Sequence, residues 1–403
     1  MINHIKKNKF LRYLAGYIYN DIFPLPINFI CYFIPKRKNL WLFGAWHGES
    51  FSDNPKYLFL YIIKYHPDID AVWITSNLKV YNNLRKKGLK VSLNNTIQTY
   101  KLAARANIAC CTHLSVSRDI SKIGFSKKTN VIYLAHGFPI KRIDDEKILG
   151  YNHQFINFIK SVNKLLDAFF LRAKIDYVTL LSDEDKKLLK GVIEQAKGIK
   201  SGQARNDVFF QNINNNTNKE NFKKILYLPT FRGDIRDKFE NLFFSQKVGF
   251  NEKMINKRLK ENNAILYIKL HPVDMKKCTK FLQSSNIIFL EEEDVHNFLK
   301  DVDILITDYS GIFVDYLLTL RPIIFANFDF EKYKDNDRGF YYDYDRITPG
   351  PKVQHWDDIL EWIEKYIDDA NIDREERLKI RNKFHLYKDS KNSERIYNFI
   401  KQI

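Results

Sequence analysis

Cysteine is scarce in this chain, which has only four in 403 residues. Two of them, Cys110 and Cys111, are adjacent, and no pair has CxxC spacing, so neither a disulfide framework nor a cysteine metal site is expected. This usage is typical of a reducing compartment. Acidic residues are outnumbered as well: 48 Asp and Glu stand against 65 Lys and Arg, a net charge of +17. A surplus of this size predicts a polyanionic partner, a membrane surface or a phosphorylated substrate.

The apolar run near the N-terminus is too short to cross a membrane. It covers residues 22–35, contains three prolines and lacks a small-residue cleavage site, so it fits neither a spanning helix nor a signal peptide. Basic residues precede it, and the cluster at 36–38 follows it. Two interpretations stay open: a segment lying in the interface of an anionic bilayer, or a helix packed on the first domain with a solvated charged edge.

Nucleotide and nucleic-acid signatures are missing too. No GxGxxG or GxxxxGK[ST] string occurs at a strand-to-helix turn, which disfavours classical NAD and ATP chemistry. RNP, zinc-finger and basic-zipper patterns are also missing, which disfavours nucleic acid as the partner of the positive charge. The composition does contain 45% hydrophobic and 15% aromatic residues, enough to build cores, and the length predicts two or three domains.

Short β-branched or aromatic runs alternate with charged helical patterns along most of the chain. This alternation predicts parallel βαβ units, with strands at 40–44, 71–75, 89–93, 107–111, 131–135, 177–181, 225–228, 264–270, 287–290, 304–307 and 322–328. The Asn-rich stretch 212–221 separates two series. The predicted fold is α/β, with two Rossmann-like, doubly wound domains facing each other across a cleft. The predicted divisions are a membrane-associating segment, two domains and C-terminal helices that pack back across them, at 1–38, 39–210, 222–355 and 356–403.

A histidine follows one strand in each predicted domain, and ligands of open α/β sheets bind outside the carboxyl ends of strands. His136 comes directly after the run 131–135, where an imidazole can take a proton from an attacking hydroxyl. Gly137 lets a ligand approach the backbone, and Lys141 can hold phosphate. A lone histidine at a strand end is commonly structural, but these neighbours favour catalysis.

His271 ends the strand 264–270 within KLHP, with a capped strand and a surface histidine as the alternative. The string TDYSG at 307–311 precedes a helical pattern, whose first amides would form an anion site. Four further candidate site residues lie on loops near the proposed cleft, and each is a weak signal by itself: Arg205, Thr230, Arg232 and Arg338.

The ordered set HGFPIK, PTFRGD, KLHP, TDYSG, RPIIF and RGFYYD followed by PGP resembles the CDP-glycerol glycerophosphotransferase family of teichoic-acid and capsule synthesis. The resemblance spans about residues 40–355. It implies a GT-B arrangement in which the first domain binds the acceptor and the second binds the CDP-polyol donor. It also implies a peripheral protein at the cytoplasmic face of the bacterial cell membrane.

The resemblance implies roles for individual residues. His136 would be the base acting on the acceptor hydroxyl, and His271 a second catalytic residue that also binds the donor. The other donor or phosphate contacts would be Arg205, Thr230, Arg232, Thr307, Asp308, Ser310 and Gly311. Further acceptor or phosphate contacts would be Gly137, Lys141 and Arg338. The chain departs from the family pattern at Phe138, Ala204 and Gly311, which bears on the donor contacts and, for Phe138, on the acceptor or polyol.

The implied reaction transfers glycerol phosphate, or a related polyol phosphate, from a CDP-activated donor to a hydroxyl of a lipid-linked saccharide or growing polymer, and releases CMP. The sequence requires no cofactor, although Mg²⁺ can accompany the donor diphosphate. Residues 155–177 interleave aromatic and basic residues, which fits either an anionic lipid surface or a core-facing helix. The alternatives are a GT-B glycosyltransferase using a nucleotide sugar, a CDP-ribitol ribitolphosphotransferase, a nucleic-acid-binding protein and a membrane scaffold.

Overall fold

Two parallel β sheets with helices between their strands organise the chain in a computed structural model. The structure describes residues 16, 18–141, 161–162, 165–166, 169–171, 173–185, 196–211, 222–230, 243–270, 284–291, 294–331, 333 and 340–403. The Asn-rich stretch 212–221, the first fifteen residues and much of 155–177 lie outside this set.

The first sheet has seven strands in the order β3-β2-β1-β4-β5-β6-β7, and all neighbours are parallel. Its strands are β1 (Arg37–Phe43), β2 (Asp70–Thr75), β3 (Val91–Leu93), β4 (Ala106–Cys111), β5 (Asn130–Tyr133), β6 (Ile175–Leu180) and β7 (Lys197–Lys200). The helices around it are α1 (Leu25–Cys31), α2 (Asp53–Tyr65), α3 (Leu78–Lys86), α4 (Ile97–Arg105) and α5 (Val116–Asp119). Strand β4 is buried almost throughout and β1 over its last four residues, which explains the apolar runs in these strands.

The second sheet has six strands in the order β10-β9-β8-β11-β12-β13, again all parallel. Its strands are β8 (Lys223–Leu228), β9 (Ala264–Ile268), β10 (Ile287–Phe289), β11 (Ile304–Thr307), β12 (Ile323–Ala326) and β13 (Lys352–Val353). The helices that follow β8 are α6 (Glu252–Glu261), α7 (His296–Leu299), α8 (Ile312–Tyr316), α9 (Tyr344–Ile347), α10 (Trp356–Asp368), α11 (Arg374–Phe384) and α12 (Asn392–Ile400).

Side-chain caps fix several helix starts. The side chain of Asn77 accepts hydrogen bonds from the first amides of α3, Thr96 does so for α4, and Asn251 for α6. These are the residue types expected at N-cap positions, because their short polar side chains satisfy amides that have no partner inside the helix.

The α/β prediction with two doubly wound domains is confirmed, and each predicted strand is present within a few residues. Two further strands, β7 and β13, were not predicted from the sequence. They read KGIK and KV, lie at the sheet edges, and carry exposed lysines. Short, charged edge strands lack the apolar alternation on which strand prediction depends.

Two segments connect the sheets, because each one packs into the core of the other domain. Phe138 and Ile140, which follow β5, are buried in the hydrophobic core of the second sheet, where the Phe138 ring lies 4.4 Å from that of Phe384. In return, α12 packs against α2 and buries Tyr397 in the core of the first sheet. The carboxylate of Asp207 accepts the first two amides of that helix.

Candidate active site

Each sheet reverses its strand order at one place, and the candidate site lies there. The reversal falls between β1 and β4 in the first sheet and between β8 and β11 in the second. Crossovers leave in opposite directions at such a point and open a crevice at the carboxyl ends of the strands. The residues that follow β1, β4 and β5 therefore form one wall of the site, and those that follow β8 and β11 form the other.

His136 stands exposed just beyond β5. Its Nδ1 lies 3.0 Å from the carbonyl oxygen of Thr112. A carbonyl only accepts hydrogen bonds, so Nδ1 carries a proton, and in the neutral imidazole Nε2 has the lone pair. The flanking residues Ala135 and Gly137 have positive φ angles of 57° and 140°. Backbone in this region is costly for alanine and is characteristic of functional sites, so the turn holds the imidazole in a position it would not adopt by default.

Two histidines that sequence analysis did not select lie beside His136. His113 follows β4, and its ring lies 5.8 Å from that of His136 and 4.1 Å from that of His47, which follows β1. The rule applied to His136 would have found His113, since CCTH likewise places a histidine just after an apolar strand. Trp46 closes the group, with its ring centroid 5.8 Å from His113 and 5.6 Å from His136.

Asp119 is the buried carboxylate that organises this wall. It accepts hydrogen bonds from His113 Nδ1 at 2.7 Å, from the amides of His47, Thr112 and His113 at 2.9, 2.7 and 2.8 Å, and from the Thr112 hydroxyl at 2.9 Å. Burial alone would raise the pKa of Asp119, but the contacts with His113 and the two backbone amides outweigh it and lower the pKa. The carboxylate is therefore ionised and fixes His113 with its proton on Nδ1.

A metal ion does not fit this set, although ligand atoms of His47, His113 and Asp119 lie within 4.8 Å of one another. Both carboxylate oxygens of Asp119 are already occupied by donors, three of them backbone amides. Coordination would leave buried N–H groups without partners, a cost comparable to the hydrogen bonds lost. The arrangement fits an orienting carboxylate better than a metal ligand.

On the opposite wall, Asp308 positions the loop after β8. Its Oδ1 accepts the amide and the hydroxyl of Thr230, at 2.8 and 2.6 Å. Thr307 donates its hydroxyl to the carbonyl of Leu228. Thr307 and Asp308 are both fully buried and hold the two strand ends together. Their contacts with donor phosphates stay predictions.

The turn at Ser310 and Gly311 meets the wall of the first sheet. A Cβ added at Gly311 would overlap the carbonyl oxygen of Phe138, so glycine is required by the close approach of the two chains. Ser310 Oγ lies 3.3 Å from the amide of Ile312. The helix that follows, α8, has five residues, and the anion site at its first amides stays a prediction. The structure brings the segment that follows His136 against this turn, through Phe138 and Gly311.

Arg205 is buried beneath this meeting point. Its guanidinium donates to Asp53 at 2.7 Å and to Asp315 at 2.5 Å, and the side chain is 3% exposed. Its nearest approach to the site is Gly137, where an added Cβ would lie 3.2 Å from Nη2. Two carboxylates therefore balance its charge in this structure, and its role as a phosphate ligand stays a prediction. Arg205 bridges α2 and α8, and so the two domains.

The charge network continues across the domain interface. Asp315 also lies 3.3 Å from Nε2 of His296, whose Nδ1 lies 3.4 Å from Asp294, and Asp294 pairs with Lys56 at 2.5 Å. Burial and Arg205 disfavour the charged imidazole, but the two hydrogen-bonded carboxylates prevail and raise the pKa of His296. Positive and negative side chains from both domains thus alternate through the buried domain interface.

Some predicted residues fall elsewhere. Lys141 bridges to Phe340 in the second domain, and its Nζ lies 5.2 Å from the centre of the Tyr333 ring. His271, Arg232 and Arg338 lie outside the described residues. Their roles, like those of Ser310, Thr230 and Lys141, stay predictions.

Two Rossmann-like domains, each built on a parallel sheet, define a GT-B fold. Residues 27–402 match the sequence profile of the family described as CDP-glycerol:poly(glycerophosphate) glycerophosphotransferase. The chain belongs to this family and is a glycerophosphotransferase-type enzyme.

Curated relatives and solved structures agree with this assignment. The teichoic acid poly(glycerol phosphate) polymerase of Bacillus spizizenii is 28% identical over 379 residues, covering 84% of this chain and 87% of that protein. The teichoic acid glycerol-phosphate transferase of Staphylococcus aureus is 26% identical, covering 89% and 92%. The structure of the wall teichoic acid polymerase TagF superposes with a TM-score of 0.70 at 19% identity, covering 100% of this chain and 98% of that one. This last likeness concerns the fold alone.

Proposed function

We propose that the chain transfers glycerol phosphate from CDP-glycerol to a hydroxyl of a growing teichoic acid or lipid-linked saccharide and releases CMP. The family and the names of the relatives support the donor and the product. The observation that carries the chemistry is the orientation of His136. Its Nδ1 donates to the carbonyl of Thr112, which leaves Nε2 as the nitrogen available to a substrate at the carboxyl edge of the first sheet.

In this step the acceptor oxygen attacks the phosphorus that carries the glycerol. A new P–O bond forms to the acceptor, and the P–O bond to the bridging oxygen breaks, so that CMP leaves with that bond's electron pair. The acceptor proton passes to Nε2 of His136. Such proton transfer contributes about 10²–10⁴-fold to the rate. Positioning of the two substrates supplies much of the remainder in phosphoryl transfer.

Charge on the diphosphate has to be balanced during this step. Ser310 and Thr230, two predicted donor contacts that the structure describes on the second-domain wall, are neutral. We therefore assign charge balance to the predicted cations Arg232 and Arg338, to His271, and to a Mg²⁺ ion that accompanies the donor.

The test is a donor panel. The purified protein is incubated with CDP-glycerol, CDP-ribitol or a UDP-sugar, together with a lipid-linked disaccharide, and the products are identified by mass spectrometry. The proposal expects CMP and an acceptor heavier by one or more glycerol phosphate units. Transfer from CDP-ribitol alone would make the enzyme a ribitolphosphotransferase, and transfer from the UDP-sugar alone would contradict the proposal.

We also propose that the N-terminal segment places the enzyme on an anionic membrane at the cytoplasmic face. No helix among the described residues is long and apolar enough to span a bilayer. The observation that favours surface binding is a set of exposed apolar side chains, which we call the N-terminal apolar patch: Ile18, Tyr19, Phe23, Ile27, Ile30 and Phe33. Exposed Phe169 extends it, because its neighbour Phe170 contacts Phe29 at a ring distance of 6.4 Å.

Lysines border this patch. Nζ of Lys122 lies 4.1 Å from the Tyr19 ring centre and Nζ of Lys128 lies 4.3 Å from that of Tyr32. Apolar side chains flanked by lysines suit the interface of an anionic bilayer. The cluster at 36–38 contributes less than its sequence suggests, because Lys36 donates to Ala104 and Thr129, and Arg37 pairs with Asp70.

Vesicle sedimentation tests this proposal. Wild type should bind vesicles containing phosphatidylglycerol, and Phe23→Glu with Phe33→Glu should abolish binding. Ile97→Glu is the matched control, because Ile97 is equally exposed but lies on α4, outside the patch. Binding that is unaffected by the double variant, or lost equally in the control, would contradict the assignment.

A further inference from the structure

His113 lies at the topological switch point of the first sheet, one strand closer to it than His136. β4 ends at Cys111, and β1, its neighbour at the switch, ends at Phe43. The side chains that follow these two strands are His113 and His47. The crevice at a switch point is where open α/β sheets bind ligands, so His113 occupies the expected ligand position on this wall.

The orientation of His113 is fixed as firmly as that of His136. Nδ1 donates to the ionised carboxylate of Asp119 at 2.7 Å, and the side chain keeps 17% exposure. Nε2 is therefore the nitrogen left for a ligand. Thr112 couples the two histidines, because its amide and hydroxyl donate to Asp119 while its carbonyl accepts from His136. One residue thus sets the direction of both imidazoles.

The partners of the two rings differ in charge. His136 donates to a neutral carbonyl, whereas His113 donates to a carboxylate. The charged and titratable groups near His113 are Asp119 on α5, His47 after β1, His136 after β5, and Arg118 beside Asp119. The two imidazoles are therefore held by different partners, and each keeps its own Nε2 for a different atom of one substrate.

We propose that His113, oriented by Asp119, contacts a phosphate oxygen of a substrate through Nε2 while His136 accepts the proton of the acceptor hydroxyl. The proposal rests on the proposed function. In the reacting complex the acceptor oxygen lies about 3–3.5 Å from the phosphorus and within hydrogen-bond reach of His136. A second imidazole whose ring centre is 5.8 Å from that of His136 can reach a non-bridging oxygen of the same phosphate.

Two phosphates could supply this oxygen, and the choice of acceptor distinguishes them. One is the phosphoryl group in transfer, which is present with every acceptor. The other is a phosphodiester at the end of a growing chain. His113→Asn should lower turnover with a phosphate-free lipid-linked disaccharide in the first case, and only with a glycerol-phosphate-terminated acceptor in the second.

The variants separate substrate contact from a structural role. In His113→Asn the amide can still donate to Asp119, but nothing stands at Nε2. In His113→Gln the amide reaches toward the Nε2 position and loses the geometry at Asp119. We expect His113→Asn to lose about 10²–10³-fold in kcat, the range for one donor to a developing oxyanion, with an unchanged unfolding temperature. His113→Gln should be the less stable but more active of the two. The control is His355→Asn, a change at an exposed histidine directly before α10.

Activity that follows stability across the two variants, or His113→Asn within threefold of wild type, would overturn the proposal. Zn²⁺-restorable loss of wild-type activity on chelation would also overturn it in favour of a metal site. Failure of the proposed function is distinguishable, because wild type would then release no CMP from any donor. Calorimetric titration with inorganic pyrophosphate covers that case: wild type should bind it more tightly than His113→Asn, and equal or absent binding contradicts the contact.

Discussion

Removing Arg205 should cost this protein more stability than any exposed ion pair could, because its guanidinium is the buried bridge between the two domains. Arg205→Met leaves the carboxylates of Asp53 and Asp315 without their partner, and both are at most 5% exposed. Breaking a buried pair by removing one member costs about 3–5 kcal/mol. For domains of this size a loss of 1 kcal/mol lowers the unfolding temperature by about 2–4 °C, so the expected drop is about 6–20 °C.

The assay is scanning calorimetry of Arg205→Met beside Arg37→Met. Arg37 pairs with Asp70 at 3.0 Å, but its side chain is 47% exposed, and such surface pairs are worth about 0–1 kcal/mol. A second variant tests the mechanism: Asp315→Asn should destabilise wild type yet partly restore Arg205→Met, because it removes one of the stranded charges. Equal effects of the two arginine variants, or further destabilisation by Asp315→Asn in the Arg205→Met background, would refute the reasoning.

Two further predictions concern the same interface. Gly311→Ala should destabilise by about 1–3 kcal/mol, the usual cost of overpacking, because an added Cβ overlaps the Phe138 carbonyl; urea unfolding measures it. Gly88→Ala is the comparison, since its Cβ would meet nothing within 4 Å and only the positive φ is strained, and equal losses of stability in both variants would contradict the account. The raised pKa of His296 means that its stabilising charge is fully present below about 6.5, its ordinary value, and is lost as pH rises through the folded value. The unfolding temperature of wild type should therefore fall more than that of His296→Gln between pH 6 and 9, and parallel curves would rule out this role.

The alternating pattern of apolar strands and charged helices predicted the two sheets because each strand is short, apolar and bounded by turns. The candidate motifs were found by one rule, that ligands meet strand ends. The structure places His136 after β5, as that rule requires, and the same rule should also have selected His113 and His47, which follow β4 and β1.

The burial and pairing of Arg205 and Asp308 could not be predicted from the sequence, for a different reason. Arg205 looked like a phosphate ligand because an arginine beside a turn is usually solvated. Its burial depends on Asp53 and Asp315, which lie 152 and 110 residues away in sequence. Asp308 likewise pairs with Thr230, 78 residues away. Pairings at such separation are set by tertiary packing and leave no local signal.

The departures at Phe138 and Gly311 lie against each other in the domain interface. The Phe138 backbone lies against Gly311, and its ring fills the second-domain core beside Phe384. A larger residue at 311 would have to displace that backbone. Both positions therefore take part in domain docking, and their bearing on donor contacts stays a prediction.

The measurement that tests the central claim most directly is CMP release from CDP-glycerol by wild type and His136→Asn. The asparagine amide can still donate to the Thr112 carbonyl, and His136 is exposed, so folding should be unchanged by calorimetry. The account predicts a loss of about 10²–10⁴-fold in kcat, the range for general-base catalysis. A variant that folds normally and keeps more than a tenth of wild-type turnover would contradict it.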